Sequence, residues 1–281
     1  MKWAMATVSF RYHLYSMDRI ERMAQSCGFQ GIELWEPHYI RHKSELHRRI
    51  NGGVTQGQLP IGVLSGYLDT TDFRTSEEEW QAALHAKLDS CRAMGIPTLR
   101  LFTGTKASAD ATQLDWMRFS ERMKRVNELA EQMGTSVVLE THPNTLLDSP
   151  SSVNRFAEMV RREGWSNVGL NFDVFHVWEF GGGLVAERLA DWYDIVKHIH
   201  LKNASRPTSD FDMRNVYHPM GRFSDSISIS SGVVDLAPLL QQLQDRGYAG
   251  YATLEWFGEV SETFFRHELD RLKQMILVAK E

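Results

Sequence analysis

Apolar and polar positions follow two rhythms along this chain. Compact runs rich in Val, Ile, Leu and aromatic residues predict strands at 4–9, 31–35, 61–67, 98–102, 168–173, 195–202 and 250–256. One more strand starts at Val137 and stops before Pro143, which cannot continue a paired strand interior. Between these runs the apolar residues recur at helical spacing. In 17–27, Ile20, Met23 and Ala24 share a stripe that Gly28 ends, and a polar helix at 38–50 is broken by Gly52-Gly53. Ser76-Glu77-Glu78-Glu79 is a capping-box start for a helix running to Met94, where Gly95 stops it. Phe119, Met123, Val126, Leu129, Ala130 and Met133 mark a helix closed by Gly134, and further helices are expected at 151–162, 184–196, 234–246 and 261–280. One long irregular segment, 204–232, is rich in Ser and Asp and contains Tyr217 and Arg222. Loops longer than about 12–15 residues are usually functional or disordered, so this one is expected to serve the active site.

Eight strands alternating with helices, with no linker or composition shift, predict one (β/α)8 barrel spanning 1–281. An open doubly wound sheet for nucleotides would need a glycine-rich fingerprint after the first strand. Phe10-Arg11-Tyr12-His13 does not supply one.

Composition narrows the function classes. A formal charge of -5 without a long basic run argues against a nucleic-acid surface. Cys27 and Cys91 are the only cysteines and fall in predicted helices, so they read as buried thiols in a reducing compartment. The amino terminus lacks a signal-peptide pattern, and no apolar run approaches the roughly 20 residues of a membrane span, so a cytoplasmic location without membrane attachment is expected.

Candidate chemistry sits where the strands stop. Along Val137-Val138-Leu139-Glu140-Thr141-His142-Pro143-Asn144 alternate side chains share a face, which pairs Glu140 with His142. Asp173, His200 and Glu255 fall at the corresponding ends of the sixth, seventh and eighth strands. In a barrel those ends converge on one mouth, and three carboxylates with an imidazole need positive charge between them. A divalent cation answers that need; an oxygen-rich set with one nitrogen suits manganese or magnesium, with cobalt or zinc as alternatives. Four separately solvated strand ends are the bland alternative. Arg100, Lys202, Tyr67, His142 and His176 surround the set, and two cations beside a metal fit a small anionic substrate. Either cation could instead pair with a nearby Glu, and His198 reads as a core histidine deeper in the barrel. Trp35, Phe102, Trp178, Trp256 and Phe257 would wall a small pocket or simply fill the core.

At these residues the chain resembles a known family. Glu140-Thr141-His142-Pro143-Asn144-Thr145, Asn171-Phe172-Asp173 with His176-Val177-Trp178-Glu179, His200-Leu201-Lys202-Asn203 and Leu254-Glu255-Trp256-Phe257-Gly258 resemble the xylose-isomerase-like barrels. Among these they are most similar to the bacterial 3-dehydroshikimate dehydratases that feed catecholate, petrobactin-type, siderophore assembly; Ser9-Phe10-Arg11 and Gly31-Ile32-Glu33-Leu34-Trp35 fit as well. The resemblance implies a divalent metal, manganese first, on Glu140, Asp173, His200 and Glu255, with Tyr67, Arg100, His142, His176, Lys202 and Tyr217 around 3-dehydroshikimate. The implied reaction is a β-elimination to protocatechuate with His142 as base and His176 as its partner, two roles that could be exchanged. A ketose epimerase or isomerase of the same family is the alternative. An AP-endonuclease-like reading would want more metal ligands and a basic face, and a retained scaffold would bind no metal. A homodimer is compatible with the sequence.

Overall fold

Eight parallel strands pair in chain order and close on themselves. They are β1 (Lys2–Ala6), β2 (Gly31–Trp35), β3 (Ile61–Ser65), β4 (Thr98–Leu101), β5 (Ser136–Glu140), β6 (Val168–Asp173), β7 (Val196–Leu201) and β8 (Tyr251–Leu254). Closure comes from β8 pairing with β1, in register from Lys2↔Tyr251 to Met5↔Leu254. The structure, a computed structural model, describes residues 1–51, 58–205 and 227–278. The described helices are α1 (Met17–Cys27), α2 (Glu36–Asn51), α3 (Glu77–Met94), α4 (Gln113–Met133), α5 (Pro150–Glu163), α6 (Val174–Phe180), α7 (Val185–Trp192), α8 (Ala237–Asp245) and α9 (Glu262–Val278). The expected (β/α)8 barrel is therefore the fold.

The core follows from the alternation of strand side chains. Leu34, Leu64, Leu99, Leu139, Leu170 and Ile199 join helix residues such as Ile20, Leu84, Phe119 and Leu240 in one large buried apolar cluster. Helix ends are set locally. The α3 and α4 helices stop at Gly95 and Gly134, both at positive φ, and Thr112 and Asp115 form a reciprocal capping box that starts α4. Cys27 and Cys91 are buried free thiols on α1 and α3. No described helix is long and apolar enough to cross a membrane.

Several boundaries differ from the sequence expectation, each for a local reason. The first strand ends at Ala6, and Thr7–Phe10 forms a 3-10 turn in which the Thr7 and Ser9 hydroxyls accept the backbone N–H groups of Trp35 and Trp256. The fifth strand ends at Glu140, so His142 is not its strand-mate. It lies in a turn where its N–H bonds Leu147 O and Asn144 takes the left-handed conformation at φ 58. The third strand stops at Ser65, which puts Tyr67 two residues beyond it. Helix α6 was not expected, because Val174-Phe175-His176-Val177-Trp178 is β-branched and aromatic; Asp173 caps it by accepting His176 N–H at 3.0 Å. The helix expected at 184–196 ends at Trp192 and gives way to a 3-10 turn at Tyr193–Ile195. Of the segment 204–232 the structure describes 204–205 and 227–232, including a 3-10 turn at Ile229–Ser231; Tyr217 and Arg222 lie outside the described residues.

Candidate metal and active site

Strand ends build the site. Glu140 and Asp173 are the last residues of β5 and β6, and His200 is the penultimate residue of β7. Glu255 follows β8 directly, its N–H bonded to Leu201 O at 3.0 Å, so the ladder carries it one residue past the strand. All four side chains are buried, and one donor atom from each lies within 4.8 Å of the others. Strand order thus brings together residues separated by up to 115 positions in the chain.

Three carboxylates here meet two basic side chains. Arg100 Nε lies 2.9 Å from Glu140 Oε2, and Lys202 Nζ lies 2.9 Å from Asp173 Oδ2 and 3.0 Å from Glu255 Oε2. Asn171 Nδ2 donates to Glu140 Oε2 at 3.2 Å. Burial alone would raise the Glu140 carboxyl, but Arg100 and His200 outweigh it and hold the group at about 2. Burial is likewise overcome at Asp173, where Lys202 and His176 keep the carboxyl far below the usual range. For His200, burial opposes protonation while Glu33 and Glu140 favour it more, so the imidazole stays well above its ordinary value. These groups fit a divalent cation: the donors converge, Glu140 and Asp173 are held as carboxylates, and an ammonium already bridges Asp173 and Glu255. A metal would take the place of a proton on His200.

Two more histidines close over this set. The His142 and His176 rings stand edge to face with centroids 4.6 Å apart, and Phe102 packs on His142 at 4.8 Å. His142 Nδ1 contacts Pro143 O at 2.8 Å; a carbonyl only accepts, so the proton is on Nδ1 and Nε2 carries the lone pair. Burial first, then His176, lowers the His142 imidazole to about 3, leaving it neutral. His176 Nδ1 bonds the Glu179 carboxylate at 3.0 Å.

Of the remaining expected residues, Tyr67 is brought to the mouth, where its hydroxyl accepts Trp35 Nε1–H at 2.8 Å and the Arg100 guanidinium lies 5.8 Å from its ring. Trp35 and Phe257 gather with Tyr67, Ala6 and Val8 in a small apolar cluster apart from the main core. Trp256 belongs to the main apolar core and stacks on Phe264 of α9 at 4.0 Å, and Trp178 stacks on Phe175 at 6.0 Å. Arg100 and Lys202 each pair with neighbouring carboxylates, Arg100 with Glu140 and Lys202 with Asp173 and Glu255. His198 is buried as expected and bonded to Glu33 at 2.8 Å. Glu33 itself was missed as a site residue. The signal was present: a carboxylate in the middle of the fully buried run Gly31-Ile32-Glu33-Leu34-Trp35 must have a partner.

Fold and site together define a class, and the comparisons with known proteins agree. Residues 22–275 match the xylose isomerase-like TIM barrel family, and the chain belongs to it. Among its relatives is the 3-dehydroshikimate dehydratase of Bacillus anthracis, 32% identical over 284 residues, which span 96% of this chain and 95% of that protein. The crystal structure of the probable 3-DHS dehydratase involved in petrobactin synthesis from Bacillus anthracis matches with a TM-score of 0.86 at 29% identity, covering 97% of this chain and 99% of that one. The IOLI protein with a bound zinc atom has the same fold, with a TM-score of 0.74 at 16% identity and 99% and 97% coverage. Within the family the chain sides with the hydro-lyases.

Proposed function

We propose that the chain is a divalent-metal-dependent 3-dehydroshikimate dehydratase that eliminates water from its substrate to give protocatechuate. The observation that carries this reading is the convergence of two buried histidines on a four-ligand carboxylate–imidazole set, in a chain with a full-length dehydratase relative. Glu140, Asp173, His200 and Glu255 would hold the cation, with manganese the first choice and magnesium, cobalt or zinc the alternatives. When bound, it supplies a Lewis acid that favours negative charge on the substrate's C3 oxygen.

The side chains do the proton work. His142 accepts the C4 proton on Nε2, and the electron pair moves toward the C3 oxygen as an enolate. The pair then returns to form the C4–C5 double bond as the C5 hydroxyl leaves, with a proton delivered by His176 to make water. Transfer of a C6 proton to the C3 oxygen completes the aromatic ring. Burial serves His142 in this role, because a neutral imidazole has its lone pair available without first losing a proton. Arg100 and Lys202 supply positive field for the substrate carboxylate, and Tyr67 lines the mouth. Tyr217 is proposed as a substrate contact from the resemblance alone.

The test is direct. Purified protein, manganese and 3-dehydroshikimate should develop catechol absorbance, whereas a neutral ketose should not be epimerised. His142→Ala should abolish turnover while metal content stays as in the wild type. Absence of the catechol product from the metal-loaded wild type sinks the dehydratase reading, and near-normal kcat in the variant sinks His142 as base.

A further inference from the structure

We infer that Glu33 is a positioning residue for the ligand histidine: it fixes His200 as the tautomer protonated on Nε2 and turns Nδ1 toward Glu140 and Asp173. The contact crosses the barrel interior, since β2 and β7 are separated by β1 and β8 in the closed sheet. Glu33 divides its oxygens between two rings, Oε1 to His200 Nε2 at 2.9 Å and Oε2 to His198 Nε2 at 2.8 Å, and Ser65 Oγ donates to Oε1 as well. A carboxylate only accepts, so both Nε2 atoms must carry hydrogen. His200 Nδ1 is thereby the nitrogen facing Glu140 Oε2 at 3.5 Å and Asp173 Oδ2 at 3.7 Å. Without the Glu33 bond the ring could flip and offer carbon where a donor is needed. Held at Nε2, it presents Nδ1 in one direction, and the carboxylate behind it makes that nitrogen a stronger donor.

Glu33, His198 and His200 also gather closely enough to be read as a second ion site. The hydrogen bonds account for all three groups without an ion: the two imidazole N–H groups and the Ser65 hydroxyl meet the two Glu33 oxygens. One ion per chain is therefore expected, not two.

The inference rests on the metal reading above, and manganese binding followed by the free-ion electron paramagnetic resonance signal separates the two. Glu33→Gln keeps the shape but loses the charge, and an amide cannot accept from both rings at once. It should weaken manganese binding by about tenfold to a hundredfold, as lost outer-sphere partners of metal-bound histidines do. Glu33→Asp keeps the charge but leaves a gap, and should bind more tightly than the Gln variant; a packing role demands the opposite order. Binding by Glu33→Gln within about twofold of the wild type, far less than such a partner is worth, overturns the assignment. So does a reversed order of the two variants, or two ions per chain. A wild type that takes up no metal overturns this inference and the metal reading together. Should the variants fail to fold, nitrogen NMR of the zinc-loaded wild type decides: His200 protonated at Nε2 supports the inference, and protonation at Nδ1 overturns it.

Discussion

Arg100 reaches from β4 to Glu140 with its guanidinium 4.4 Å from the Phe102 ring, so a buried carboxylate, a buried cation and an aromatic face depend on one another. Breaking such a pair leaves a charge without compensation and typically costs about 3–5 kcal/mol. Arg100→Met should therefore lower the unfolding free energy of metal-free protein by about that much, measured in urea, with manganese restoring part of it. A loss below about 1 kcal/mol would mean that Asn171 and His200 suffice to hold Glu140. Residue identity made much of this legible from sequence. Ionisable side chains at strand ends announced a site, but Glu140–Arg100 and Lys202–Asp173 could not be told from substrate contacts, because pairing depends on where neighbouring strands stop.

Elements depend on small residues as much as on large ones. Gly31 on β2 and Gly62 on β3 both lie under the Tyr251 ring of β8, and a Cβ at either would fall within that ring's contact distance. The ring occupies space that only glycine leaves open. Gly62→Ala should destabilise the barrel by about 1–3 kcal/mol through overpacking, and Tyr251→Ala in the same chain should remove most of that penalty. Strictly additive losses in thermal or urea unfolding would show that the two residues do not meet. Helix α6 carries the complementary lesson. Its composition favours a strand, yet the Asp173 carboxylate caps His176 N–H and starts a helix immediately after β6. Propensity decided less there than one side chain did.

At the scale of the whole molecule, acid stability reflects histidines buried in neutral form. His38 is buried on α2 with its ring edge to face against Trp35 at 5.1 Å, and burial, followed by His42 and Arg41, lowers its imidazole to about 4. Between the unfolded value of about 6.5 and the folded value the unfolded chain binds the proton and the folded chain does not, so stability falls as pH drops through that window. His38→Gln should reduce the loss in unfolding free energy between about pH 7 and pH 5 by about 2 kcal/mol relative to the wild type. An unchanged slope would place the acid sensitivity in other groups. The opposite behaviour is expected of His200, whose raised value stabilises the metal-free chain most at low pH.

The alternation of apolar runs and amphipathic stretches determined the barrel by itself, because a strand's period of two and a helix's period of 3.6 are written in consecutive residues. It also placed Glu140, Asp173, His200 and Glu255 at strand ends, and so at one mouth. Only the tertiary structure decided which charges pair across that mouth, that His142 reaches the site from a turn rather than along a strand, and that Glu33 on β2 meets His198 and His200 on β7. Those contacts join residues up to 167 positions apart through a closed interior. Local pattern carries no record of such distances; strand order, register and closure create them.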